Sequence, residues 1–219
     1  MSIEIISTED GSNSLRQIQL NETYHSVHGA VQESIHVFIR NGLAAGETAP
    51  ETSILEVGFG TGLNALLTWQ FARQHGRKVK YTAIEPCPIS EKVWSKLNYP
   101  VLLGESKAYR SLHLSQWGIT VPLDPVFELF KIRMTLQDVA VQPGLFDLAY
   151  YDAFAPSKQP ELWDIEVLRK VVAALKCGGL FVTYCAKGQL KRDLRNLGMI
   201  VETLAGPPGK KEMVRARKP

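Results

Sequence analysis

The stretch from Ile54 to Thr68 reads Ile-Leu-Glu-Val-Gly-Phe-Gly-Thr-Gly-Leu-Asn-Ala-Leu-Leu-Thr and constrains the fold more than any other part of the chain. Its first four residues suit a strand, glycines follow at positions 58, 60 and 62, and Leu63, Leu66 and Leu67 then recur at helical spacing. The unit is strand, tight turn, helix. Glycine belongs where the backbone takes φ > 0 or lies against a ligand with no Cβ in the way. The free N–H groups of the helix that follows point at whatever fills the turn. Such a turn is either a cradle for a nucleotide-like ligand or a glycine-rich structural turn.

Spacing narrows the ligand. The dinucleotide fingerprint Gly-x-Gly-x-x-Gly would put its third glycine at position 63, where the chain has Leu63, and the Gly-Lys-Ser/Thr end of a phosphate loop is absent. The pattern here is Gly58, Gly60 and Gly62 behind an acid, Glu56. It fits S-adenosylmethionine, whose amino-acid end carries a carboxylate suited to backbone N–H groups and an ammonium suited to Glu56 or a nearby carbonyl.

Acids at successive strand ends make the pattern more specific. Lys78 to Ile84 reads as the next strand and ends at Glu85, 23 residues beyond Gly62. At that distance doubly wound folds set an acid against ribose hydroxyls, and an ionised carboxylate accepts from both. Phe127 to Leu136 reads as a third strand, ending at Gln137 and Asp138; Asp138 suits either an adenine amino group or the N-cap of a following helix. Phe146 to Tyr151 is the fourth, with Asp152 at its carboxyl end. A carboxylate there can hold and desolvate a cationic amine opposite a sulfonium methyl.

The remaining segments fill out an α/β domain. Residues 1–25 are polar and turn-rich and read as a β-like or irregular lead-in; Val31, Ile35, Phe38 and Ile39 then mark a helix ending near Asn41 and Gly42. A loop from Ala44 to Glu51 leads to the central strand. Helices are expected over Ile89 to Leu97, Glu161 to Leu175 and 188–196, and strands over Leu180 to Tyr184, Ile200 to Leu204 and Glu212 to Ala216. Residues 100–124 read as a partly helical insertion near the substrate side. The expectation is one domain over 1–219: a 1–50 lead-in and a 51–219 Rossmann-like core of seven mostly parallel strands with helices on both faces.

Composition excludes several classes. A chain of 219 residues can bury a full core, and no apolar run approaches the ~20 residues of a membrane span. Met1 to Asp10 has no signal-peptide pattern. Cys87, Cys177 and Cys185 are an odd set without metal-ligand spacing, as expected of reduced thiols in a cytoplasmic protein. His25, His28, Glu33 and His36 match no zinc pattern, and the histidines read as satisfied loop or surface residues. The net charge of +3 is uneven: residues 187–219 hold nine basic and three acidic side chains, a balance of +6, which leaves −3 for residues 1–186. A basic C-terminal part suits a polyanionic partner, or is an ordinary solvated face.

Several boxes resemble one family, the bacterial tRNA 5-aminomethyl(-2-thio)uridine methyltransferases, which occur alone or fused to an FAD-dependent oxidase. The boxes are Glu56-Val-Gly-Phe-Gly-Thr-Gly-Leu-Asn64, Tyr151-Asp-Ala-Phe-Ala-Pro-Ser-Lys-Gln-Pro-Glu-Leu-Trp163 and Gly209-Lys-Lys-Glu-Met213, with Tyr24-His-Ser, Glu33-Ser34 and Val37-Phe38 near the N-terminus. The chain departs from the family at Arg40-Asn41-Gly42-Leu43, where Gly-Asn-x-Leu is more usual. Its end at Pro219 leaves no room for the oxidase, so the resemblance implies the stand-alone enzyme without FAD or metal.

The resemblance also implies a class I methyltransferase fold, with cofactor contacts from Glu56, Gly58, Gly60, Thr61, Gly62, Asn64, Glu85 and Asp138. Asp152 would be the catalytic acid, and Tyr24, Phe154, Pro156, Lys158, Trp163, Lys210 and Lys211 would meet a tRNA anticodon loop. The implied reaction converts 5-aminomethyluridine, often 2-thiolated, at the wobble position to 5-methylaminomethyluridine. Tyr24, Phe154 or Trp163 would stack on the splayed base, and the basic C-terminal part would track phosphates. Asp152 would chiefly orient the amine, with its proton lost to water. Two rivals share the cradle: a polyamine-type aminopropyltransferase, and a non-catalytic RNA-binding module.

Overall fold

The computed structural model describes residues 2–46 and 49–219. The lead-in is regular: β1 (Ile3–Ser7), β2 (Asn13–Gln17) and β3 (Glu22–Thr23) form a small antiparallel sheet. Asp10 shapes its first turn by accepting from the Thr8 and Ser12 hydroxyls and from the Ser12 N–H. α1 (Ala30–Ser34) runs directly into a π-helical stretch, Ile35–Leu43, that buries Val37, Phe38, Ile39 and Leu43. Asn41 donates to the carbonyl of His36 within it. A Cβ on Gly42 would come within 3.2 Å of Val182 and 3.3 Å of Tyr150, so glycine lets this helix lie close on the sheet.

The core continues as β4 (Glu51–Val57), α2 (Leu63–His75), β5 (Lys78–Ile84), α3 (Glu91–Trp94), α4 (Tyr99–Leu102) and α5 (Ser106–Leu114). Next come β6 (Thr120–Asp124), β7 (Phe127–Ile132), β8 (Phe146–Tyr151), α6 (Ile165–Ala174), β9 (Leu175–Thr183), α7 (Gly188–Asn196), β10 (Ile200–Ala205) and β11 (Glu212–Arg217). The large sheet has the order β10-β11-β9-β8-β4-β5-β7-β6. Strands β7, β5, β4, β8 and β9 are parallel, and β10, β11 and β6 are antiparallel to their neighbours.

The sheet therefore has eight strands where seven were expected. The extra one, β6, comes from the insertion and pairs antiparallel with β7 at the edge. Both faces are covered. Leu148 and Tyr150 of β8 join the core under α2 and the π-helical stretch, while Ala149 and Tyr151 join the core under α6 and α7. From β4 the chain passes outward to β5 and β7, then returns to β8 on the other side of β4. That reversal opens a crevice at the carboxyl ends of β4 and β8, where open α/β sheets bind ligands.

Five expectations change locally. The helix expected over Glu161 to Leu175 starts at Ile165, after a 3-10 turn at Pro160–Leu162, and the strand expected over Leu180 to Tyr184 runs over Leu175–Thr183. The helix over Ile89 to Leu97 shortens to Glu91–Trp94. The third core strand stops at Ile132, and residues 135–138 form a turn with no helix after it, so Asp138 is not an N-cap. Residues 100–124 pack behind the glycine turn and not on the substrate side: Tyr109 and His113 both contact the carbonyl oxygen of Thr61. The loop expected from Ala44 to Glu51 lies partly outside the described residues. Among the described residues no helix is long and apolar enough to cross a membrane.

Candidate active site

A cavity of about 680 Å³ occupies the crevice, lined by Gly58, Gly60, Glu85 and Asp152 and by Tyr24 and His25 of the lead-in. Val57 ends β4, and Gly58, Gly60 and Gly62 take φ of 91°, 49° and 75°. A Cβ on Gly58 would lie 2.7 Å from the carbonyl oxygen of Asp152, and one on Gly60 would lie 3.2 Å from the Tyr24 ring. Gly62 starts α2 and is crowded from behind by Phe59 and His113. Gly58 and Gly60 thus line the cavity where a Cβ has no room, whereas Gly62, expected to touch a cofactor, lies outside the lining and serves the tight turn into α2.

The cradle is braced from outside. The Tyr109 hydroxyl donates to Thr61 O at 2.9 Å, and His113 Nε2 lies 3.1 Å from the same atom. Burial holds the His113 pKa down to about 3, so its ring is neutral and Nε2 carries the donating proton. His113 stacks on Trp94 at 4.7 Å, while Lys131 caps the end of α5 by donating to the carbonyls of Leu112 and His113. None of these four side chains lines the cavity.

Glu33, Glu85 and Asp152 are acids of the cavity lining, and Glu56 is buried outside that lining, near enough for the charge of Asp152 to act on it. Glu85 accepts from the N–H groups of Gly60 at 3.0 Å and Cys87 at 2.9 Å, and burial raises its pKa in spite of them. Glu56 is 0% exposed, and neither of its carboxylate oxygens has a hydrogen-bond partner. Burial, with the charge of Asp152 added, raises its pKa well above the usual range; Asn64 and Tyr81 face it and oppose the rise without closing a hydrogen bond. Asp152 accepts from the Asn64 amide at 2.8 Å. Its pKa is pushed up to about 7 by burial and then by the charge of Glu33, against the opposing Asn64 bond and Lys210 charge. Glu33 also lines the cavity, is 5% exposed, and had no role in the site from sequence reasoning.

The expected aromatic and basic residues separate. Tyr24 and Phe154 meet edge to face at 5.0 Å inside the cavity. Trp163 does not reach it: the indole is 8% exposed, packs against Tyr151 and donates to the carbonyl of Phe154. It supports the loop instead of offering a stacking face. Pro156 and Lys158 lie on that loop outside the cavity wall, and Lys158 N–H donates to Ala155 O. Lys210 turns inward, pairs with Glu33 and lies over the Tyr184 ring, whereas Lys211 is exposed. Much of the remaining basic tail is engaged within the protein, as in Lys191 with Glu212 and Arg215 with Glu202.

Asp138 is exposed on the cavity rim, where its side chain accepts from the Thr135 hydroxyl at 2.6 Å. Tyr184, at the end of β9, lines the cavity and was not singled out from the sequence; its signal was the strand-end position it shares with Asp152. The histidines go separate ways, His25 to Ser14, His28 to Glu9 and His36 to the carbonyl of Ala205. Among the described residues no group of three or more His, Cys, Asp or Glu could hold a metal ion.

These features fit an adenosyl amino acid. A turn where Gly58 and Gly60 carry no Cβ, buried orphan oxygens on Thr61 and Asn64, and an acid after β5 line the cavity, while the orphan carboxylate of Glu56 is buried outside its lining. Comparison with known proteins agrees. Residues 113–219 match the family model described as S-adenosyl-L-methionine-dependent methyltransferase. The chain is 32% identical over 210 residues to the tRNA 5-methylaminomethyl-2-thiouridine biosynthesis bifunctional protein MnmC of Cupriavidus metallidurans, a match covering 90% of this chain and 31% of that protein. It thus spans about a third of the length of such relatives. The crystal structure of MnmC2 from Aquifex aeolicus superposes with a TM-score of 0.83 at 24% identity, covering 100% of this chain and 72% of that one. A probable spermidine synthase from Corynebacterium glutamicum shares the fold at a TM-score of 0.55 and 15% identity, over 98% of this chain and 76% of that one. With the cradle, the strand-end acids and these likenesses together, the chain belongs to the S-adenosyl-L-methionine-dependent methyltransferases.

Proposed function

We propose that this chain methylates the primary amine of 5-aminomethyluridine, with or without a 2-thio group, at the wobble position of tRNA. The observation that carries the reading is Asp152, a carboxylate with a near-neutral pKa in the same cavity wall as the glycine cradle. The biosynthetic step in the printed name of the MnmC relative supports the acceptor. In this reading Gly58, Gly60, Thr61 and Asn64 receive the amino-acid end of the cofactor, Glu85 the ribose hydroxyls and Asp138 the adenine amino group. Bound S-adenosylmethionine supplies an electrophilic methyl group.

Asp152 then has two tasks. An alkylammonium has a pKa of about 10, so the amine must lose a proton before it attacks. A carboxylate of ordinary pKa is about 6 pK units too weak to take that proton. At about 7, Asp152 narrows the gap to about 3 units, roughly 4 kcal/mol. An arriving ammonium lowers the Asp152 pKa by its own charge, and one proton transfer turns the ion pair into free amine and carboxylic acid. Asp152 therefore orients the amine and also serves as a base, which widens the role expected from sequence. Tyr24 and Phe154 offer aromatic surface to the splayed base, and exposed cations such as Lys211 meet phosphates.

Labelled methyl transfer to tRNA carrying 5-aminomethyluridine, with unmodified tRNA as control and nucleoside analysis afterwards, tests the proposal. Label should appear in 5-methylaminomethyluridine alone; equal label on the control tRNA would overturn it. Calorimetric titration covers the rivals: preference for the decarboxylated donor means aminopropyl transfer, and no cofactor binding means an RNA-binding module.

A further inference from the structure

Glu33 and Lys210 are 177 residues apart in sequence and meet inside the cavity. One oxygen of the buried Glu33 carboxylate accepts from the Ser26 N–H at 2.6 Å, and the other pairs with the Lys210 ammonium. A buried carboxylate is costly unless it is paired in this way. The same ammonium lies 4.0 Å from the centroid of the Tyr184 ring, in cation–π range. That ring is fixed, because its hydroxyl donates to the carbonyl of Ala153 at 2.8 Å, next to Asp152. Asp152 also feels both partners: the Glu33 charge raises its pKa and the Lys210 charge lowers it.

The turn that carries Lys210 is built to point it inward. A Cβ on Gly206 would lie 2.4 Å from the carbonyl oxygen of Lys210, and one on Gly209 would run into the His28 ring. Two glycines therefore let the turn fold tightly and press onto the lead-in. Two carboxylates and an aromatic face are what an alkylammonium requires, and a lysine side chain ends in the same CH₂–NH₃⁺ group as an aminomethyl substituent.

We propose that Glu33, Tyr184 and Asp152 form the ammonium subsite for the acceptor, and that Lys210 fills it as an internal stand-in until the substrate amine displaces it. The proposal rests on the reading above that the acceptor is a primary amine. The Lys210 side chain is 32% exposed at the cavity mouth, and its flexible stem can swing outward as the substrate enters. Glu33 and Tyr184 then discriminate amine from hydroxyl, because a neutral group leaves the buried Glu33 charge without a counter-ion.

The free nucleoside 5-aminomethyluridine, which has no phosphates, separates this role from RNA backbone binding. It is titrated at pH 8.5, above the pKa of Asp152, into protein saturated with S-adenosylhomocysteine. Lys210→Met should bind it about tenfold more tightly than wild type, and the Glu33→Gln/Lys210→Met double variant should lose that gain. The hydroxymethyl analogue should not share the tenfold gain in Lys210→Met, where the Glu33 charge stays without a counter-ion. In wild type, the Lys210 ε-methylene proton resonance, shielded by the Tyr184 ring, should move to the position of a solvent-exposed lysine on nucleoside addition. This NMR readout does not depend on any variant folding. Unchanged or weaker nucleoside binding by a folded Lys210→Met, or an unmoved Lys210 resonance at saturation, overturns the proposal. If those signals appear but wild type methylates no aminomethylated tRNA, the reaction reading fails and the subsite stands; if wild type methylates and the signals are absent, only the stand-in fails.

Discussion

Gly58 and Asp152 touch through backbone alone, since a Cβ on Gly58 would lie 2.7 Å from the carbonyl oxygen of Asp152. The glycine turn after β4 and the acid after β8 are thereby held at one fixed separation. Gly58→Ala adds this clash to a φ of 91°. It should destabilise the protein by about 1–3 kcal/mol and weaken S-adenosylmethionine binding at least tenfold. Gly76→Ala is the control, with φ 62° and open space around the added Cβ; it should cost about 1 kcal/mol and leave binding intact. Thermal melts with calorimetry decide, and equal cofactor affinity in the two variants would refute the close approach.

Asp152→Asn should leave cofactor affinity within a few-fold and abolish turnover. In wild type, kcat/KM should fall about tenfold per pH unit below pH 7 as Asp152 takes up a proton. The stability effect has the opposite sense to an ordinary ion-paired acid. A carboxylate whose folded pKa is raised from 3.8 to about 7 makes the folded state bind the proton more tightly, so stability falls as pH rises between those values. Asp152→Asn should therefore be more stable than wild type at pH 8, on the order of 2–4 kcal/mol, and gain little at pH 4. Urea unfolding at the two pH values measures this; a pH-independent difference contradicts it.

Glu85→Gln keeps the shape of the side chain but replaces one acceptor oxygen by a donor that faces the Gly60 or Cys87 N–H. Hydrogen bonds to a charged group are worth about 1.5–3 kcal/mol, so cofactor affinity should drop ten- to a hundredfold. Affinity within twofold of wild type would remove Glu85 from the cofactor site.

His113→Ala touches no cavity wall, yet it removes a donor from Thr61 O and a ring stacked on Trp94. It should destabilise by about 2–4 kcal/mol and weaken cofactor binding by loosening the turn. With a pKa held near 3, His113 stays neutral from pH 5 to 8, so its bracing should be pH-independent over that range. Chemical unfolding with parallel titrations at both pH values checks the two claims.

Lys211→Ala should raise the tRNA KM and reduce the slope of log affinity against log salt by about one. Lys191→Ala should change the slope less, because Lys191 is already paired with Glu212. Binding measured across a salt series distinguishes them, and equal slopes would remove Lys211 from the RNA surface.

Much of this site was legible in residue order. The strand Lys78–Ile84, the strand Phe146–Tyr151 and the helix Gly188–Asn196 fall where periodicity puts them, because apolar spacing and glycine positions act within a few residues. The insertion was not legible in the same way. Its strand β6 exists only because β7 offers an open edge, and its helices face the glycine turn because Tyr109 and His113 find a carbonyl there. Trp163 shows the same limit: a tryptophan in a substrate box can serve the loop from beneath as well as the ligand from above.

Local backbone chemistry decided the cradle. Three glycines with positive φ between a strand and a helix need no distant partner to be recognised, nor does an acid 23 residues further on. Charge and proton affinity in the cavity were decided elsewhere. The near-neutral pKa of Asp152 arises from burial and from Glu33, and Lys210 turns inward because Glu33 and Tyr184 receive it. Desolvation and ion pairing depend on which groups the fold brings together, and Glu33 lies more than a hundred residues before both Asp152 and Lys210.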